Sequence, residues 1–181
     1  MRRSRARIAP STVADADRGD GAFQALDQIA NWVRFADTKA TLLTAGLGIV
    51  LSALTANVKT IANALRDGCP WAPVVGALAG ATLLAVAWTV FWMVRAVGPQ
   101  KGVQYAGPNR FAWPSLIGTS AEQLADHVRT VDASMDAWQQ VVDLSALANR
   151  KFQACGNAVK GLAVLVVLGP ACIALSIGVT N

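Results

Sequence analysis

Charge is missing from three long stretches of this 181-residue chain: 40–58, 68–94 and 161–181 hold no Asp, Glu, Lys or Arg. Only 15% of residues are charged and 54% are hydrophobic, which is too apolar for an ordinary soluble domain. Histidine is scarce as well. The one histidine, His127, sits two residues before Arg129 and reads as a solvated surface residue. The three cysteines, Cys69, Cys155 and Cys172, have no metal-ligand spacing and are expected outside, inside and within a membrane, unpaired and inert. No phosphate loop, nucleophile elbow or zinc motif is present, and Asp126, Asp132, Asp136 and Asp143 scatter around a helix instead of pairing in a cleft. No catalytic residue, metal or cofactor is therefore expected, and the protein reads as not an enzyme. The lack of charge inside the apolar stretches also argues against a transporter, which places its functional groups there.

What is present is a membrane pattern. The run from Ala40 to Val58 would rise about 28 Å as a helix, near the hydrocarbon thickness of a bilayer. Cys69-Pro70-Trp71 and Pro73 read as a loop and a helix start, so span two is expected at 73–94. Span three is expected at 161–179, kinked at Pro170. Lys and Arg set the orientation. Segment 1–39 holds seven, 95–160 holds seven, and the connection 59–67 only Lys59 and Arg66. The positive-inside rule then puts the N-terminus in the cytoplasm and Asn181 outside. The Arg-rich start is not expected to be a cleaved signal, because no apolar core follows it. The net charge of +5 fits topology and attraction to anionic lipid better than nucleic acid, which is not expected as a partner.

Taken in order, residues 1–20 read as a disordered tail. Phe23, Leu26, Ile29 or Ala30, Val33 and Ala36 make an apolar stripe for a cytosolic helix at 22–39, running directly into span one. An external loop occupies 59–72. The stretch 98–118, rich in proline, glycine and aromatics, reads as an ordered cytosolic loop. Thr119-Ser-Ala-Glu122 reads as a capping box opening a helix at 120–157, which continues into span three. The fold class is an all-α membrane protein: three transmembrane helices, with a cytosolic two-helix hairpin continuous with spans one and three. Gly48, Ser52 and Ala56, and Gly76 and Gly80 with Ala77, Ala81 and Ala85, form small-residue faces. Such faces pack spans within one subunit or between subunits of a homo-oligomer. Trp88 and Trp92 read as an interfacial belt.

An anionic ligand wants Arg or Lys donors, and an attached base wants an aromatic face. Arg110, Phe111 and Trp113 offer both on the loop, and Arg150 and Lys151 lie near the membrane on the second helix. The bland alternative is that these cations meet lipid phosphates and the aromatics cover the helices. At the join of helix and span one, Asp37 and Lys39 mark the water–lipid boundary. Asp37 stands three residues from Arg34, or could pair with Arg150 or Lys151 and set the register of the two helices.

Three sequence features together resemble the Pycsar effector transmembrane family. They are Trp32-Val-Arg-Phe-Ala-Asp37-Thr-Lys39-Ala before the first span, Asp143-Leu-Ser-Ala-Leu-Ala-Asn-Arg-Lys151-Phe before the last, and Gly107-Pro-Asn-Arg-Phe111 between them, where Ala112 replaces the usual glycine. The resemblance covers roughly 22–178. It implies antiphage defence: a partner pyrimidine nucleotide cyclase makes cUMP or cCMP on infection, and the effector answers that cyclic nucleotide by impairing the inner membrane, an abortive infection. It does not say which side chains hold the nucleotide. A ligand-independent, holin-like pore former and a structural or adaptor membrane protein remain the alternatives.

Overall fold

The computed structural model describes residues 10–66, 70–98 and 107–180, with side chains described from Gly21 onward. Among the described residues there is no strand; the protein is all helical. Five helices follow in order: α1 (Pro10–Ala56), α2 (Val58–Arg66), α3 (Ala72–Val97), α4 (Ala121–Thr130) and α5 (Ala133–Thr180), with a 3-10 turn at Trp113–Leu116. Three of them, at Gly21–Ala56, Ala72–Val97 and Ala133–Thr180, are long and apolar enough to cross a membrane. The chain divides into two compact units, Met1–Val33 with Gln100–Ala148 and Arg34–Pro99 with Asn149–Asn181.

Both expected continuities are present. α1 has no break between its polar beginning and its apolar end, and α5 runs 48 residues through Gly156 and Pro170. The expected tail fares differently. Residues 1–9 lie outside the described residues, and from Pro10 the backbone is helical, with proline at a first-turn position where its missing N–H costs nothing. The expected external loop also contains a helix. Val58, Ile61, Ala62 and Leu65 recur on one side of α2, which packs on α3 and buries Ala64. The polar residues Lys59, Thr60, Asn63 and Arg66 obscured that period in a short segment. Asn57 makes the one-residue break before it, its side-chain amide donating to the Ala53 carbonyl at 2.9 Å.

In the second unit α1, α3 and α5 share an apolar core of Leu47, Met93, Ala158 and Leu165, with a second cluster of Ala40, Ala96, Ala154 and Cys155. Small side chains dominate because close backbone approach, not hydrophobic transfer, holds helices together in lipid. Among the described glycines the tightest approach between helices is at Gly161, where an added Cβ would stand 3.3 Å from the Thr89 Cα and would collide with the Thr89 hydroxyl. Hydroxyls in the apolar stretches fold back on their own helix. Thr44, Ser52, Thr55, Thr82, Thr89 and Ser176 each donate to the carbonyl four residues earlier, at 2.7–2.9 Å. In hydrocarbon an unpaired hydroxyl is costly, and this local bond satisfies it without a partner helix. Trp88 is exposed while Trp92 packs inward against the core, so only the first has a belt residue's exposure.

Candidate functional site

The polar centre of the first unit is built on Asn109 and Asp136, both buried. Pro108 and the glycine before it keep the chain out of helix here, and Asn109 folds it into a turn: its side-chain oxygen accepts the Phe111 N–H at 2.9 Å. The Asn109 N–H donates to the Ser115 hydroxyl at 2.8 Å, and that hydroxyl sits 2.8 Å from the Ala112 carbonyl. The Asn109 amide then donates across to the Asp136 backbone carbonyl at 2.9 Å, fastening the loop to α5. Gly118 ends the loop at φ 84°, a left-handed conformation that glycine adopts without strain.

Arg110 reaches the same place. Its Nε donates to an Asp136 carboxylate oxygen at 2.6 Å, and its Nη2 donates to the Val131 carbonyl at 2.7 Å. His127 Nε2 lies 3.0 and 3.1 Å from the two carboxylate oxygens. One buried carboxylate thus ties loop, α4 and α5 together. His127 is far from the solvated residue that its sequence context implies, its side chain being only 16% exposed.

Two local breaks produce this geometry. The capping box forms one residue later than Thr119 and Glu122 predict: the Gln123 N–H donates to Ser120 Oγ at 3.2 Å, and Gln123 Oε1 accepts the Ser120 N–H at 3.0 Å. Thr119 is taken up elsewhere, donating its hydroxyl to the Ser115 carbonyl. The single helix expected at 120–157 is two helices, because Val131 is extended and Asp132 starts α5 afresh. Ser134 donates its hydroxyl to Asp132 at 3.0 Å, and that bond, reinforced by the Ser134 backbone N–H, holds the Asp132 carboxyl below its ordinary value of 3.8.

The other expected site residues divide between the units. Phe111 meets Phe23 edge to face at 5.8 Å, and Trp113 is 75% exposed at the start of the 3-10 turn. Arg150 is exposed in the second unit. Lys151 Nζ donates to Asp37 at 2.5 Å, joining α5 to α1 as one of the three pairings, with Arg34, Arg150 or Lys151, open to Asp37. Lys39 lies over the rings of Phe35 and Phe152, at 4.6 and 5.5 Å. The Arg34 carbonyl accepts the Thr38 hydroxyl, within α1. Among the described residues no group of acids, histidines and cysteines could hold a metal ion.

The profile of a family described as the Pycsar effector protein domain matches residues 21–178. The chain belongs to this family. No curated protein and no solved structure matches it. The match takes in the Asn109–Asp136 centre and all three apolar helices, so this Pycsar effector carries both within one family domain. The family supports a Pycsar antiphage effector role and implies a cyclic nucleotide signal from a cyclase; it is a membrane effector family, not one known for catalysis. Three apolar helices of spanning length agree with a membrane protein.

Proposed function

We propose that this Pycsar effector sits in the bacterial inner membrane, with its N-terminus cytoplasmic and Asn181 outside, and is activated by cUMP or cCMP from a partner cyclase. The activated protein impairs the membrane and ends growth by abortive infection. The observation that carries this reading is the family match over 21–178, joined to the unbroken backbone of α1 and α5 from polar into apolar sequence.

The candidate ligand contacts fall in both units, Arg110, Phe111 and Trp113 in the first and Arg150 and Lys151 in the second. Trp113 presents an exposed ring to which a pyrimidine can stack, with Phe111 beside it in the loop. Arg110 and Lys151 already hold carboxylates, Asp136 and Asp37. A ligand phosphate reaching either cation would exchange one anion for another, which would loosen the contact it replaced and bias the packing of the helices that carry it. Arg150 is a further anion donor. The small-residue faces mediate assembly of several copies: Gly48, Ser52 and Ala56 of α1 and Gly80 of α3 are exposed, with open space beyond Gly48 and Gly80. Lipid is the remaining partner.

The test is dye release from proteoliposomes. Release on adding cUMP or cCMP, and none with cyclic AMP, is expected; no release with either pyrimidine nucleotide overturns the reading. Plating cells with and without a cyclase separates it from a holin-like pore former, which kills alone, and from an adaptor, which kills in neither case.

A further inference from the structure

In the second unit a groove of about 440 Å³ opens between α1 and α5. Leu42 and Leu43 wall it from α1, and Phe152, Gly156 and Val159 wall it from α5. Gly156 leaves it open, since an added Cβ there would meet nothing within 4 Å. Lys39 is the only charged residue of the lining, and in sequence it stands directly before the charge-free run that begins at Ala40. Its ammonium stands over the rings of Phe35 and Phe152, and among the described residues no carboxylate pairs with it. The neighbouring cation, Lys151, is neutralised by Asp37; Lys39 is not.

A fixed positive charge above an apolar trough at the water–lipid boundary fits one kind of molecule. A soluble anion would satisfy the ammonium but gain nothing from leucine, valine and phenylalanine walls. A zwitterionic lipid would bring its own ammonium to the same place. An anionic phospholipid satisfies both parts, its phosphate at Lys39 and an acyl chain along Leu42, Leu43 and Val159. We propose that this groove is a specific site for an anionic phospholipid. The lipid bridges α1 and α5 where each turns from polar to apolar sequence. The site is independent of the nucleotide response.

Native mass spectrometry of the full chain in detergent tests it, using phosphatidylglycerol and phosphatidylethanolamine of matched acyl chains. Phosphatidylglycerol should be retained in preference. Lys39→Gln should lower that retention about fivefold, the weight of one juxtamembrane cation, while Lys39→Arg keeps it. Lys59→Gln, which removes the same charge from α2, should leave it unchanged. Gly156→Leu should exclude the lipid by filling the trough, with the circular dichroism spectrum and melting point showing that the helices persist. Equal retention of the two lipids, an unaltered Lys39→Gln variant, or displacement of phosphatidylglycerol by excess soluble cUMP would each overturn the site.

Discussion

Asp136 joins the loop, α4 and α5: its carboxylate meets Arg110 and His127, and its carbonyl accepts the Asn109 amide. Removing its carboxylate takes away one partner of the Arg110 guanidinium in a half-buried place and unties His127 from the loop. Asp136→Ala should therefore cost about 3 kcal/mol, read as a lowered midpoint in urea or thermal unfolding in detergent. Gly161 makes a comparable demand through volume instead of charge. Gly161→Ala forces Thr89 to give way at the α3–α5 contact and should cost about 1–3 kcal/mol, whereas Gly48→Ala, which faces open space, should cost little. Asp132 gives a pH dependence of known sign. Its carboxyl is lowered in the folded protein, so the support it gives the start of α5 is complete above its ordinary value of 3.8 and fades as pH falls below it. Ser134→Ala should flatten the loss of melting temperature as pH falls below that ordinary value of 3.8. None of these roles shows in the local sequence: Asp136 looks like its three neighbouring carboxylates, and only folding brings it to His127, nine residues back, and to Arg110, twenty-six back.

Elements were legible in proportion to their length and uniformity. Long charge-free runs announce α1, α3 and the end of α5, because a span must satisfy its backbone internally and helices do so at any apolar composition. The Asp37–Lys151 pair was legible only as one alternative, since Arg34 and Arg150 stand equally near Asp37 in the sequence pattern. Short elements were harder. α2 is nine residues of mixed texture, and the α4–α5 break turns on a single extended valine and an aspartate that caps the next helix. Ser120, not Thr119, caps α4, and Ser120→Ala should cost about 1 kcal/mol while Thr119→Ala costs less. At this same scale the unbroken length of α5 carries the proposed coupling. Replacing three residues around Ala148 by glycines should preserve nucleotide binding, measured by calorimetry, yet abolish nucleotide-dependent dye release.

As a whole molecule, the protein is read through its family match and its three apolar helices, and assembly is the property that a single chain displays least. Gly48→Ile and Gly80→Ile on the uncovered faces of α1 and α3 should leave membrane insertion intact. They should also reduce cyclase-dependent killing at least tenfold in a plating assay, about 1.4 kcal/mol of lost association. The hydroxyls of the spans bear on the same scale. Each spends its proton on the turn behind it, so a lone copy offers passing water no ladder of donors through the bilayer. Under the proposed assembly, a cell could then hold a standing stock of the protein with its ion gradients intact, and the hazard would reside in the number of copies that gather, not in the number that are made.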